Sequence, residues 1–391
     1  MSRRSLLLAL LALSACGGSK PSTPAVALSD LLGAGDTASF ARADGPRDFT
    51  FPADHGPHPG FRTEWWYVTG NLTSADGRPF GFHLTLFRRG LAQPEGRASD
   101  LAPSDLWMAH FAIADGAGRE VHAHERTARG AGGLAGAAWS DDGAGDSQLR
   151  VWLEDWELAF VDGLGAGELP RLRLVARAGD DALELNLAAR KPAVLQGDAG
   201  LSIKGSAPGQ ASYYYAVTRL TASGSVEVGG ETFAVDGSAW LDREWSTSVL
   251  GQGQVGWDWF ALQLDDGTDV MLYQMRLADG GVDATSHGSI TEKDGSHSKL
   301  EGSGYTLRSA DTWHSPRSGA PYPSGWTAVV PEKGLELRIT PLLPDQELPL
   351  SVVYWEGAVQ IEGTRAGRPV RGVGFVELTG YADIGEGGAP R

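Results

Sequence analysis

Short runs of alternating apolar and polar residues recur along the chain about every 8 to 12 positions, separated by turns rich in glycine. Alternation with a period of two is typical of β-strands that bury one face. The sequence has no long segment with the 3.6-residue period of an amphipathic helix. Asp-Gly pairs between alternating runs, at Asp76-Gly77 and Asp266-Gly267, predict tight hairpin turns. The pattern therefore predicts an all-β protein of antiparallel strands, arranged as sandwiches or barrels.

An internal repeat relates two parts of the chain. Residues 224–230 match residues 357–363 position for position, and residues 240–242 then match residues 375–377. The repeat covers two hairpins, each with the same sequence of turn and apolar strand. It indicates that the chain contains two related β units.

A looser repeat helps to place the two units. The hairpin that begins at Trp66 resembles the hairpin that begins at Trp259, so each unit opens as well as closes in the same way. We therefore predict one β unit at residues 46–250 and a second at residues 251–391. A closed barrel leaves no exposed sheet edge, which favours barrels for units of this size.

The first residues have the order of a bacterial signal peptide. Two arginines precede a short apolar run that ends at Leu13, and the run is too short to span a bilayer, which needs about 20 apolar residues. The next residues, Ser14, Ala15 and Cys16, resemble the lipobox of bacterial lipoproteins. We therefore predict a signal peptide at residues 1–15, removed before Cys16.

The same resemblance implies that Cys16 is acylated. Residues 16–45 then form a lipidated N-terminus and linker, and the protein is expected in the cell envelope, lipid-anchored and facing the periplasm. Gly17, and not an aspartate, follows the cysteine, which favours the outer membrane over the inner. The alternative is an ordinary secreted protein with an incidental cysteine. The chain has 1 cysteine, so no disulfide within it is expected.

Charge restricts the partners. The chain has 33 Lys and Arg against 49 Asp and Glu, a formal net charge of −16. Such an acidic protein is not expected to bind nucleic acid or anionic membrane surfaces, because both are negatively charged.

Three motifs make the chain resemble a known family, the AttH and carotenoid 1,2-hydratase family. They are Phe61-Arg62-Thr63-Glu64-Trp65-Trp66-Tyr67-Val68-Thr69-Gly70, Trp240-Leu241-Asp242-Arg243-Glu244-Trp245-Ser246 and Gly256-Trp257-Asp258-Trp259-Phe260-Ala261-Leu262-Gln263-Leu264. The resemblance covers the chain from about residue 48 to residue 381. It implies two lipocalin-like antiparallel β-barrels in tandem. It also implies a range of functions, from hydration or cyclisation of isoprenoids and polyenes to envelope proteins described as lipocalin-like.

One strand carries the candidate catalytic residues. Alternate residues of a strand share a face, so Trp240, Asp242 and Glu244 are expected to point together. A buried carboxyl can protonate an alkene, and an indole face can stabilise the resulting cation. Asp242 and Glu244 are therefore tentative general acids. The alternative is that both pair with arginines such as Arg62 or Arg243 in a structural ion network.

The sequence also departs from the hydratases. Those enzymes resemble this chain but have Asp-His where it has Asp242-Arg243, and an Asp near the strand that here contains Tyr273. An arginine stays protonated near neutral pH and cannot relay a proton. The departure weighs against carotenoid hydration itself.

Candidate ligand-binding residues lie on the aromatic strands. Glu64 and Trp66 share one strand face, and Trp65 and Tyr67 share the other; the pattern does not show which face lines a ligand site. The alternative is that these aromatic and histidine side chains only fill the barrels. The candidates are Glu64, Trp65, Trp66, Tyr67, His83, His110, Tyr213, Tyr215, Trp240, Trp245, Trp257, Trp259 and Tyr273.

Several other sequence motifs do not indicate a function. Residues 251–256 fit the G-x-G-x-x-G pattern of dinucleotide sites but precede a strand where that site requires a helix. The chain has no G-x-S-x-G, so a conventional serine hydrolase is not expected. His122 and His124 share a strand face, which is weak support for a metal site. We expect neither a metal nor a cofactor.

Together these features predict a membrane-tethered, lipocalin-like lipoprotein that binds a hydrophobic or amphiphilic small molecule, and that processes it or helps an ABC-type system to export it. The alternative is a hydratase-like enzyme that adds water to, or cyclises, an isoprenoid or polyene by carboxyl general-acid catalysis.

Overall fold

The structure is a computed structural model that describes residues 37–91, 104–141, 147–248 and 250–382. The predicted signal peptide and Cys16 lie outside the described residues. The described part contains no α-helix and three short 3-10 helices, Ala53–His55, Gly302–Gly304 and Pro331–Lys333. None of its helices is long and apolar enough to cross a membrane.

The N-terminal sheet has 13 antiparallel strands. Its main path runs in the order β4-β3-β2-β1-β13-β12-β9-β8-β7-β6-β5, and β10 and β11 also pair with β12. The strands are β1 (Thr63–Ser74), β2 (Pro79–Gly90), β3 (Asp105–Asp115), β4 (Glu120–Arg129), β5 (Ala135–Ser140), β6 (Gln148–Leu153), β7 (Trp156–Phe160), β8 (Arg171–Ala178), β9 (Asp181–Ala189), β10 (Val194–Leu195), β11 (Leu201–Ile203), β12 (Ala211–Val228) and β13 (Glu231–Ser246).

This sheet curls into a nearly closed barrel, so that β2, β3 and β4 approach β6. Its interior is filled by large side chains, among them Trp66, Trp156 and Trp245. Phe49 and Phe51, from the segment before β1, pack against the same core. The first barrel is therefore a packed core.

The C-terminal sheet has 10 strands and forms a half-barrel. Its main path is β17-β16-β15-β14-β23-β22-β20-β19-β18, with β21 paired to β22. The strands are β14 (Gln254–Leu264), β15 (Asp269–Leu277), β16 (His287–Thr291), β17 (His297–Glu301), β18 (Thr306–His314), β19 (Pro321–Val330), β20 (Leu335–Pro341), β21 (Glu347–Pro349), β22 (Val353–Arg365) and β23 (Arg368–Leu378).

The predicted fold is confirmed: the protein is all-β, with two lipocalin-like antiparallel units in tandem. Each unit pairs its last strand with its first, β13 with β1 and β23 with β14. The chain passes from one sheet to the other between Ser246 and Gln254.

The two units pack against each other through a separate apolar cluster. Its members come from both sheets and include Tyr67, Tyr214, Trp240, Trp259, Met271, Tyr273 and Met275. Gly81 allows β2 to approach β22 closely, since a Cβ atom there would lie 2.5 Å from the Cβ of Ala358. Lys191 adds a buried ion pair, 2.7 Å from the carboxylate of Asp269 across the interface.

Candidate functional site

A cavity of about 320 Å³ lies between the two sheets. Strands from both units supply its wall, which is mainly apolar. The apolar and aromatic lining residues include Trp65, Tyr67, Phe87, Met108, Tyr214, Trp257, Trp259, Tyr273 and Met275. A concave apolar site with a few polar groups is the usual form of a small-molecule site.

Asp242 reaches this cavity from β13, and none of its hydrogen-bond partners among the described residues is a cation. Trp240 donates its indole N–H to Oδ1 at 2.7 Å, and the Tyr214 hydroxyl donates to Oδ2 at 2.9 Å. Trp259, from the other unit, donates to the Tyr214 hydroxyl at 3.2 Å. Burial raises the pKa of Asp242 well above its ordinary value, against the effect of the two hydrogen bonds. The protonated form of this carboxyl is therefore favoured.

Glu244 lies two residues further along the same strand and has a cation beside it. Lys204 Nζ is 3.0 Å from Oε1, and the Ser212 hydroxyl donates to the same oxygen. Lys204 also lies over the ring of Tyr273, 4.4 Å from its centroid. Glu244 and Lys204 thus form a partly buried ion pair on the cavity wall.

Glu377 enters the cavity from β23. The Trp257 indole donates to its Oε2 at 3.0 Å. Burial raises the pKa of Glu377 to about 7, with the hydrogen bond from Trp257 opposing this and the charge of Glu244 adding to it. A carboxyl with such a pKa can gain or lose a proton near neutral pH.

Glu356 lies on β22, directly opposite Glu377 in the strand register. The Tyr67 hydroxyl donates to its Oε1 across the unit interface. His83 Nδ1 lies 3.1 Å from Oε2 but is not aligned for a hydrogen bond. Burial and the nearby Glu377 raise the pKa of Glu356 well above its ordinary value. The protonated form of Glu356 is therefore favoured as well.

His110 lines the cavity on the side of β3. Its Nδ1 lies 2.7 Å from the Tyr354 hydroxyl, and its Nε2 lies 3.0 Å from a carboxylate oxygen of Glu125. Glu125 is partly exposed and also accepts a hydrogen bond from Ser351 of the second unit at 2.5 Å. His110 thus links the cavity wall to the protein surface.

Strand alternation decides which of the predicted binding residues reach the cavity. Trp65, Tyr67, His110, Trp257, Trp259 and Tyr273 line it. Trp240 packs beside it in the interface cluster, and His83 lies behind Tyr67 with ring centroids 5.3 Å apart.

Four predicted binding residues lie elsewhere, in the core of the first barrel: Trp66, Tyr213, Tyr215 and Trp245. They occupy the alternate positions of β1, β12 and β13, so their side chains point away from the cavity. These four aromatic side chains fill the barrel, as the alternative interpretation stated.

The alternative interpretation, in which Asp242 pairs with Arg243, is wrong. Arg243 points to the opposite face of β13, where it lies 3.8 Å from the ring centroid of Trp66 and 3.2 Å from Glu64. Asp242 bonds to Trp240 and Tyr214 instead.

Glu64 is the centre of the ion network in this part of the protein. It borders the cavity, but its carboxylate accepts from Arg88 Nε at 2.6 Å and from the backbone N–H of His58 at 3.0 Å. Burial alone would raise the pKa of Glu64, but Arg88, His58 and Arg243 lower it far below its ordinary value. Glu64 is thus an ionised residue held by cations.

Sequence reasoning missed Glu377, Glu356, Lys204 and Tyr354. The repeat contained one usable signal, because it matches Asp242 with Glu377. The alignment of the two opening hairpins is wrong by one residue. Tyr67 pairs with Asp242 on the neighbouring strand, and Trp259 pairs with Glu377 in the same way. Trp259 therefore corresponds to Tyr67 and not to Trp66.

Within the described residues, no group of three or more potential ligands is arranged to hold a metal ion. His122 and His124 both contact one carboxylate, that of Asp181, at 3.0 Å and 2.8 Å.

Comparison with known proteins identifies relatives of this chain. The pattern of the AttH-like family matches residues 42–381. A protein of Nitrosomonas europaea assigned to AttH has a similar crystal structure, with 36% sequence identity and a TM-score of 0.73, covering 88% of this chain and 100% of that one. No curated protein matches the sequence.

Two more distant structures share the fold. Kievitone hydratase from Nectria haematococca is 16% identical with a TM-score of 0.61, covering 92% of this chain and 98% of its own. CghA in complex with Sch210972 is 13% identical with a TM-score of 0.54, covering 89% and 98%. With its tandem lipocalin-like units and a family match over most of its length, the chain belongs to the AttH-like family.

Proposed function

We propose that the protein binds a largely apolar small molecule with a polar group in the cavity between its two β units. The observation that carries the proposal is an aromatic cavity that holds two carboxyls, Asp242 and Glu377. In the part of the chain that the structure describes, no cation is bonded to either of them. Burying a carboxyl costs free energy, so such groups are concentrated at functional sites.

The cavity fits such a ligand better than the barrel interior does. The core of the first barrel is filled by its own side chains. The inter-unit cavity offers ring faces for an apolar body, and it offers Asp242, whose protonated form is favoured, as a hydrogen-bond donor. An uncharged hydrophobic or amphiphilic molecule therefore matches its chemistry.

We also propose a membrane location and a protein partner for this chain. Lipid on Cys16 would anchor the protein to the outer membrane, facing the periplasm, and an ABC-type export system would be the partner that supplies or removes the ligand. The lipobox-like residues before Cys16 support the anchor. Metabolic labelling with an alkyne fatty acid tests it: the parent should incorporate the label and Cys16→Ala should not.

Binding is tested with N-phenyl-1-naphthylamine, an uncharged apolar molecule that fluoresces when it leaves water. We expect saturable binding by the purified protein, weakened at least tenfold in Trp65→Ala, which removes an indole from the cavity wall. Trp152→Ala is the matched control, because Trp152 is also half-buried but lies outside the cavity. Equal binding by both variants and the parent would contradict this site.

A second function, acid catalysis on an alkene, is favoured by one specific observation. Asp242 is a buried carboxyl with a raised pKa, held between Trp240 and Tyr214 at the cavity wall. Asp242 would donate its proton to one alkene carbon, and water would attack the cation at the other carbon and lose a proton to the carboxylate of Glu377. The net reaction adds one water, and solvent returns the proton from Glu377 to Asp242.

Heavy water distinguishes catalysis from binding. Incubation with acyclic carotenoid or other polyene substrates in deuterated water should place deuterium on carbon in product or recovered substrate if the acid acts. Asp242→Asn should abolish the incorporation. If neither protein incorporates deuterium, binding remains as the function.

A further inference from the structure

We propose that the open end of the inter-unit cavity docks on the surface of a zwitterionic lipid bilayer, so that the ligand passes between the membrane and the cavity. This deepens the proposed function and rests on it.

The cavity opens at one end of the molecule. Its half-exposed lining residues include Arg89 at the end of β2, Leu106 at the start of β3, Leu250 between the units and Gln254 at the start of β14. Antiparallel pairing brings these strand ends together, because Thr63 is in register with both Arg89 and Ser246. The mouth therefore lies at a single end of both sheets.

Exposed apolar side chains are concentrated around this mouth. The described residues contain seven large exposed hydrophobic side chains, and four of them lie at this end: Leu91, Ile203, Val255 and Val282, between 38% and 52% exposed. Leu91 follows β2, and Ile203 and Val255 adjoin the lining residues Lys204 and Gln254.

Val282 belongs to the same group. Gln254 donates to the carboxylate of the adjacent Asp283 at 3.0 Å and to the backbone carbonyl of Lys204 at 2.6 Å. These bonds join the Val282 turn to the β11 segment at the rim. Exposed apolar groups around an apolar cavity are typical of a surface that contacts lipid or another apolar partner.

The path of the chain selects the bilayer as that partner. Ala41 donates to the Gly60 carbonyl at 2.9 Å and accepts from the Thr247 hydroxyl at 2.5 Å, so the segment that enters the fold lies beside the mouth. Cys16 lies 21 positions before Thr37. For 21 residues, random-coil statistics give an average end-to-end distance of about 25 Å. Strand β13, from Glu231 to Ser246, is about 50 Å long, so a tether of that span favours the mouth over the far end.

The charge of the protein selects the kind of bilayer. A net charge of −16 opposes contact with an anionic surface. Docking through four aliphatic side chains does not need basic residues, and zwitterionic headgroups do not repel the protein.

The orientation is measured with the full-length lipoprotein in phosphatidylethanolamine-containing vesicles. The chain has 1 cysteine, and acylation consumes its thiol, so an introduced cysteine is the only site for a bimane label. Val255→Cys reports on the rim. Glu231→Cys reports on the opposite end of β13 and is the matched control. Brominated lipids should quench the label at position 255 at least threefold more than the label at position 231.

Equal quenching at the two positions, or stronger quenching at position 231, would overturn the docking proposal. Uptake of the label by the unsubstituted parent would show a free Cys16 thiol and would overturn it as well. Binding of N-phenyl-1-naphthylamine by the same proteins in detergent, measured as the saturable signal above that of protein-free micelles, separates the two ideas. If the proteins still bind the dye but quenching is equal at the two positions, only the docking proposal is contradicted. If specific binding of the dye is lost, the proposed function is contradicted.

Discussion

Asp242 and Glu377 occupy corresponding positions on the last strands of the two units and face the same cavity. Each lies opposite an aromatic residue of the first strand, and each accepts a hydrogen bond from an indole, at 2.7 Å and 3.0 Å. Neither carboxyl has a cation bonded to it within the described structure. The repeated fold therefore brings two acids without a bonded cation to one site, and their protonation can be tested separately from their function.

Glu377→Gln should stabilise the protein at pH 8. Burial raises the pKa of Glu377 from 4.5 to about 7, so its ionisation opposes folding as the pH rises through this window. The stability that comes from the protonated form is complete below pH 4.5 and is lost above pH 7. The glutamine side chain of the variant cannot ionise, so the variant does not lose this stability at high pH. Its unfolding free energy should exceed that of the parent by about 3 kcal/mol at pH 8 and by little at pH 4. Urea unfolding at both pH values measures the difference; a destabilised variant at pH 8 would contradict the raised pKa.

Glu64→Gln, the same chemical change, should have the opposite effect. Glu64 is ionised and holds Arg88 and Arg243, so the amide leaves buried guanidinium groups with less compensation. We expect a loss of about 3 kcal/mol or more at pH 7. Because its folded pKa lies below the unfolded value, the contribution of Glu64 is present above pH 4.5 and is lost as the pH falls, so the variant and parent should converge in acid. A loss that does not change with pH would argue against an ionic role.

Lys204→Met should move the titration of Glu377 to higher pH. The positive charge of Lys204 lowers the pKa of both Asp242 and Glu377, and its removal favours their protonated forms. Lys204→Arg keeps the charge and is the control. The carboxyl signals of Glu377, followed by NMR with labelled glutamate, should titrate above pH 7 in Lys204→Met. An unchanged midpoint would show that Lys204 acts only on Glu244.

The sequence was sufficient to predict the strands and the two units, because alternation and turn residues are local properties. It also placed Asp242 and Glu244 on one face of β13, with Arg243 on the other. Period-two alternation fixes that separation whatever the tertiary structure is.

Other features of the site depend on contacts that are distant in the sequence. Tyr67 meets Glu356, and Trp259 meets Tyr214, only because the two units pack face to face. Alternation alone does not show which face of β1 turns towards the second unit, so Trp66 and Trp65 were equal candidates. Lys204 follows a three-residue strand and carries no motif at all.

Tyr214 and Tyr213 lie on opposite faces of β12, the first towards the cavity and the second towards the core. Tyr214 bonds to Asp242 and Trp259 in the cavity wall, whereas the neighbouring Tyr213 points into the first barrel and donates to the Gly45 carbonyl at 2.8 Å. Both Tyr→Phe variants lose one buried hydroxyl and should lose about 1 kcal/mol of unfolding free energy. Only Tyr214 lies on the cavity wall. When Asp242 is protonated, its carboxyl can donate to the Tyr214 oxygen, so that the Tyr214 hydroxyl is free to donate to a ligand, and Tyr214→Phe removes this donor. Its affinity for all-trans-retinal, an apolar polyene with one carbonyl, should fall about tenfold, the effect of one hydrogen bond. Displacement of N-phenyl-1-naphthylamine measures this affinity, and Tyr213→Phe should match the parent. An equal loss in both variants would mean that the effect comes from stability, and that the Tyr214 hydroxyl does not contact the ligand.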